Sequence, residues 1–136
     1  MEGSPVLADS SFYIRMMRMG RDPLEALAKY ARTQDLAVCG VVQCEVGRAL
    51  RSPSIHRRFH LFWDSLIQIP TDKTMWHEVE NLLWNLDQAG RIIPLPDAII
   101  ACCAIRIRAT VLTWDNHFWN IPNLHVLLPP APQSEA

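Results

Sequence analysis

The sequence holds 136 residues, 49% of them hydrophobic and 20% charged, with a formal net charge of -1. A chain of this length folds around one core that buries about two thirds of its unfolded surface, which excludes disorder and fibrous structure. The most apolar stretch, Ile92 to Ile105, is broken by Pro94, Pro96 and Asp97, so no membrane span is expected. Met1-Glu2-Gly3-Ser4 lacks a basic-then-apolar leader, which points to a cytoplasmic protein. Cys39, Cys44, Cys102 and Cys103 form no Cys-x-x-Cys pair and read as buried thiols. Charge is uneven: residues 1 to 60 carry nine Lys/Arg against six Asp/Glu, and residues 61 to 136 carry four against eight. A polyanion could therefore still find a local basic face.

Taken in chain order, Ser4 to Ala8 is a short apolar strand that delivers Asp9 to its C-terminal end. Ser10-Ser11 caps a helix over Phe12 to Met19 that Gly20 stops, and Asp22-Pro23 opens another through Arg32. Leu36 to Cys39 is a second strand. Val41 to Arg51 is a helix bearing Glu45, ended by Ser52-Pro53. Ser54 to Leu66 is a basic amphipathic helix with Ile55, Phe59, Phe62, Trp63 and Leu66 facing inward. Ile67 to Ile69 is an edge strand, and Thr71 to Ala89 is a long helix terminated by Gly90. A helix over Pro96 to Arg108 follows, with Asp97 in its first turn. Thr110 to Thr113 is a buried strand leading into Trp114-Asp115, and His125 to Leu128 is a last strand. Residues 1–128 form the domain, and Pro129 to Ala136 reads as an exposed Pro-rich tail.

Continuous apolar strands alternating with helices indicate an α/β fold with a parallel sheet covered on both faces. Such sheets collect their ligands at the C-terminal strand ends. Asp9, Glu45, Asp97 and Asp115 could each occupy that edge, and each is preceded by apolar residues. Any one of them alone is explained as a helix cap or a solvated loop acid. Four such carboxylates at a semi-buried edge repel one another, so either some take up protons or a cation neutralises them, and a divalent cation is the economical answer. With no His or Cys among the four, hard cations such as Mg²⁺ or Mn²⁺ suit the set better than zinc.

At these residues the chain resembles the PIN domain family, and within it the small ribonuclease toxins of VapC type. Val6-Leu7-Ala8-Asp9-Ser10-Ser11 resembles the family's strand ending in Asp, and Glu45 after Val41-Val42-Gln43-Cys44 resembles its helical acid. Leu95-Pro96-Asp97-Ala98-Ile99-Ile100-Ala101 is similar to its third acidic motif, and Thr113-Trp114-Asp115-Asn116-His117-Phe118 to its fourth. The resemblance spans nearly the whole chain. It implies a PIN-like three-layer sandwich with sheet order 3-2-1-4-5 and an Mg²⁺ or Mn²⁺ pocket that hydrolyses RNA by a metal-activated water. It further implies a homodimer and a small antitoxin protein as partner, in a type II toxin-antitoxin pair. Many members carry a further acid where this chain has His117, which leaves looser metal binding or a phosphate contact open.

Asp9, Glu45, Asp97 and Asp115 are thus the expected catalytic and metal-holding residues, with Ser10, Thr113 and Asn116 behind them. Arg48, one turn after Glu45, either binds substrate phosphate or pairs with that acid. Arg15 and Arg18, with Arg51, Arg57 and Arg58, either track an RNA backbone or form solvated helix faces. The tryptophans fall mostly at core spacing; Trp114 and Trp119 flank the last motif and are the candidates for substrate contact. A receiver domain would need a late-strand Lys, and the lysines are Lys29 and Lys73. A haloacid dehalogenase would need Asp at Ser11. The alternative that survives is a catalytically degenerate PIN-like module that binds RNA or a partner.

Overall fold

The computed structural model describes residues 3–131. Five strands and six helices alternate: β1 (Val6–Ala8), α1 (Ser10–Arg18), α2 (Pro23–Tyr30), β2 (Leu36–Cys39), α3 (Gly40–Gly47), α4 (Pro53–Asp64) and β3 (Ile67–Ile69) come first. They are followed by α5 (Lys73–Gln88), α6 (Leu95–Ile107), β4 (Thr110–Leu112), a 3-10 turn (Asn116–Phe118) and β5 (His125–Leu127). The strands form one sheet in the order β3-β2-β1-β4-β5, and every pairing is parallel. Leu7 lies level with Ala37 on one side and Val111 on the other, which sets β1 at the centre. The chain builds outward from β1 to β2 and β3, then crosses to β4 and β5. The crevice between β1 and β4 is therefore the switch point of the sheet.

The burial of each strand follows its place. All residues of β1, β2 and β4 are buried, because helices cover a parallel sheet on both faces, whereas the edge strands β3 and β5 are partly exposed. The ladder continues one residue past the strands, where the Asp9 amide donates to the Leu112 carbonyl at 3.2 Å and the Thr113 amide to Leu127 at 3.1 Å. Asp9 and Thr113 are thereby held side by side at the C-terminal edge.

α6 is buried from Ala98 through Cys103 and Ala104, consistent with a helix apolar all round. Its small residues let neighbouring elements approach, and its first turn carries Asp97. Arg108 closes it in the left-handed region at φ 55°, a conformation usually given to Gly.

Several elements differ from their sequence reading. Asp9, not Ser10-Ser11, caps α1, accepting from the Phe12 amide. α3 ends at Gly47, and the winding runs on to Leu50 through Ala49-to-Val46 and Leu50-to-Gly47 bonds of the tighter 3-10 kind. Cys44 is exposed, while the other three thiols are buried and all four are free. On α5 the inward stripe is the one its spacing predicts, with Met75, Val79 and Leu86 buried and Leu82 and Leu83 partly buried against the core. Trp76 and Trp84 both lie off that stripe and are 48% and 59% exposed. Ile55 on α4 is exposed as well. Of the tail expected to be exposed, Pro129 is buried, Pro130 and Ala131 are exposed, and 132–136 lie outside the described residues. Among the described residues no helix is long and apolar enough to cross a membrane.

Trp63 anchors α4 against α1. It is fully buried, its indole N–H donates to the Tyr13 hydroxyl at 3.3 Å, and its ring meets Tyr13 and Phe59 edge-on. Trp63→Ala is expected to lower the unfolding free energy by about 3 to 5 kcal/mol, against about 0.5 kcal/mol or less for Trp84→Ala, as read by urea denaturation.

Candidate active site

Asp9, Glu45, Asp97 and Asp115 line one cleft of about 320 Å³ at the C-terminal edge of the sheet, together with Ser10, Ser11, Ile14, Arg15 and Arg18. Two larger grooves, of about 600 and 700 Å³, contain none of these four carboxylates. Each acid arrives from a different element: β1, α3, α6 and the turn after β4.

Asp9 is 2% exposed, the least accessible carboxylate among the described residues. One of its oxygens, Oδ2, accepts from the Thr113 hydroxyl at 2.7 Å and the Ser11 hydroxyl at 2.8 Å, and Oδ1 accepts from the Phe12 amide at 3.0 Å. Burial outweighs these three bonds and, with a smaller push from the Asp115 charge, raises its pKa from 3.8 to about 6. The Thr113 hydroxyl also accepts from the Asp115 amide at 2.8 Å, so one side chain ties the acids after β1 and β4 together. Glu45 accepts from the Ser10 hydroxyl at 2.6 Å, which fixes α3 to the start of α1.

His117 enters the cluster from the 3-10 turn. Its Nδ1 lies 2.7 Å from Asp97 Oδ2 and 3.1 Å from Asp115 Oδ1. Asp97 is half-buried, and burial raises its pKa; the His117 contact opposes that rise, while the charges of Asp115 and Glu45 add to it. A donor atom from each of Asp97, Asp115 and His117 fits within 4.8 Å, a set suited to a divalent cation. A nitrogen of His117 therefore stands beside carboxylate oxygens of two of the four expected acids.

The remaining sequence candidates divide. Arg15 lies at the cleft with its guanidinium 5.3 Å from the Trp114 ring centroid, and Trp114 stacks on Phe12 at 5.5 Å. Arg18 also lines the cleft. Arg48 is exposed and forms no ion pair with Glu45 among the described residues. Asn116 is exposed, and the bond it makes is through its carbonyl to the Trp119 amide. Arg58 pairs at 2.6 Å with Asp22, the residue that caps α2. Trp119 is 40% exposed. Two contributors went unassigned in sequence: the hydroxyl of Ser11 on Asp9, and Arg91, whose guanidinium donates to the His117 carbonyl at 2.8 Å. Ser11 sits beside a recognised acid and could have been found from that adjacency. Arg91 lies 26 residues from its partner and carries no local signal.

The PIN domain family profile matches residues 6–124. The chain belongs to the PIN domain family. Its fold resembles those in several solved complexes. VapBC2 from Rickettsia felis bound to a promoter DNA fragment aligns at a TM-score of 0.74 and 22% identity, covering 90% of this chain and 97% of that one. DNA-bound VapBC from Salmonella typhimurium aligns at 0.73 and 14%, covering 91% and 97%. A toxin-antitoxin complex from Klebsiella pneumoniae aligns at 0.70 and 21%, covering 90% and 96%. No curated protein matches the sequence. The sheet order of this PIN domain is the one its sequence motifs imply, and its four motif acids share one cleft.

The raised pKa of Asp9 fixes a pH dependence. Below pH 3.8 both folded and unfolded chains hold the Asp9 proton; between 3.8 and about 6 the unfolded chain releases it first, and the metal-free fold loses stability. Once both states are ionised the loss is about 3 kcal/mol. Asp9→Asn lacks this loss, so in chelator it should gain on the wild type by up to about 3 kcal/mol between pH 4 and 7 in urea denaturation. A difference that does not vary with pH would contradict the burial of an ionisable Asp9.

Proposed function

We propose that this PIN domain is an Mg²⁺- or Mn²⁺-dependent endoribonuclease and the toxin of a type II toxin-antitoxin pair. The observation that carries the reading is the meeting of Asp9, Glu45, Asp97 and Asp115 in a single cleft flanked by Arg15 and Arg18. Carboxylates drawn from four elements are a costly arrangement for a purely structural purpose, because their charges repel.

Asp97 and Asp115, with Asp9 and Glu45 beside them, are the residues that would hold the cation. When bound, such a cation supplies an acidified water and positive charge against the developing pentacovalent phosphate. The chain's own groups do the positioning. Thr113 and Ser11 fix the Asp9 carboxylate, Ser10 fixes Glu45, and the His117 main-chain amide fixes the Asp115 carboxylate. Arg15, braced on Trp114, and Arg18 present guanidinium groups at the rim where an RNA phosphate would lie. No Cys or Ser nucleophile is needed, and the buried Cys39, Cys102 and Cys103 face the core.

The partner reading draws on the neighbours, which are toxin-antitoxin complexes. Leu61 at 66% exposure, Trp76 and Trp84 offer apolar surface for a second copy or for a small antitoxin. Light scattering at micromolar concentration should show a dimer, and a small reading frame beside the gene should encode a protein that co-purifies with it.

Activity supplies the central test. RNA cleavage should stop in excess chelator and return with Mn²⁺. Asp97→Asn keeps the shape and removes one anionic ligand, so cleavage should fall by about two orders of magnitude or more. Wild-type cleavage in chelator, or wild-type rates in Asp97→Asn, would overturn the reading. RNA bound without cleavage under any metal would leave the degenerate binding module instead.

A further inference from the structure

His117 is held on both sides. Its amide donates to Asp115 Oδ1 at 2.9 Å, its carbonyl accepts from Arg91 at 2.8 Å, and the next residue, Phe118, is fully buried. The backbone thus aims the imidazole at the two carboxylates, although the ring itself is 42% exposed on its outer side. Nδ1 stands 2.7 Å from Asp97 Oδ2 and 3.1 Å from Asp115 Oδ1. Around an octahedral cation with bonds of about 2.1 Å, neighbouring donors lie about 3.0 Å apart. The two separations straddle that value, so with its proton on Nε2 the ring would present the Nδ1 lone pair at the spacing of a third ligand, in place of the hydrogen bond that Nδ1 and Asp97 make in the metal-free chain.

We propose that His117 Nδ1 is itself a ligand of the divalent cation, beside Asp97 and Asp115, and that this nitrogen makes the cleft select Mn²⁺ over Mg²⁺. The inference rests on the reading above that a divalent cation occupies the cleft. An all-carboxylate site holds Mg²⁺ readily, since that ion prefers hard oxygen and gives up water reluctantly. Imidazole favours first-row transition ions, whose affinity for mixed nitrogen and oxygen sites exceeds that of Mg²⁺. If the ring served only as a positive counter-charge to the two acids, removing it would instead tighten both ions alike.

The test uses the full chain with Mn²⁺ alone. Pulsed electron paramagnetic resonance should show coupling to a directly bound imidazole nitrogen in the wild type. The coupling should persist in a His56→Gln, His60→Gln double variant, which removes the other close imidazole pair, on α4. It should vanish in His117→Asp and in His117→Gln, the second of which adds no charge to the cluster; circular dichroism checks that each is folded. By calorimetry, His117→Asp should narrow the ratio of Mn²⁺ to Mg²⁺ affinity by about tenfold or more. Bound Mn²⁺ and cleaved RNA with no nitrogen coupling, or coupling that survives in His117→Gln, would overturn this inference and leave the nuclease reading intact. No Mn²⁺ binding at all would overturn both.

Discussion

The carboxylate of Asp9 lies at the end of the central strand, almost without access to water, and the arrangement around it answers the cost of keeping it there. β1 is flanked by β2 and β4 and covered on both faces, so its last side chain cannot reach solvent as an edge-strand acid would. Three donors converge on it: the amide that opens α1, the Ser11 hydroxyl and the Thr113 hydroxyl. These bonds do not cancel the desolvation, and the group remains harder to ionise than a free carboxylate. A cation in the cleft, as proposed above, would stabilise its charge further.

The other acids are placed by the same few contacts. Thr113 serves Asp9 through its hydrogen and the Asp115 amide through its oxygen, so the two strands that meet at the switch point share one polar joint. Ser10 reaches from α1 to Glu45 on α3. His117 bridges Asp97 on α6 and Asp115 after β4. Each carboxylate is therefore held before any ligand arrives, which is the condition for electrostatic action without reorganisation during the reaction. The repulsion among them lowers the stability of the metal-free fold, and ligand binding would return it.

Much of this was readable in the sequence. Short runs such as Val6-Leu7-Ala8 and Thr110-Val111-Leu112 are apolar enough to name central strands, and the acids that follow them sit where a parallel sheet presents its edge. What escaped was of two kinds. Local competition hid the cap of α1, because Ser10 and Asp9 both suit the position, and Ser10 is drawn away by Glu45, 35 residues distant. Tertiary placement hid the rest. Trp76 and Trp84 fit an apolar helix by composition, yet one step round α5 takes them out of the buried stripe, and no local rule sets that rotation. Arg91 matters through a contact with His117, itself named in the sequence, that only the folded chain creates.

Carbon-13 NMR of the Asp9 carboxylate across pH, first in chelator and then with saturating Mg²⁺, tests most directly whether burial of this acid underlies the site. The metal-free protein should titrate at Asp9 with a midpoint near 6, and Mg²⁺ should drive that midpoint well below its metal-free value. A midpoint near the ordinary 3.8 without metal, or one that Mg²⁺ leaves unmoved, would contradict the account.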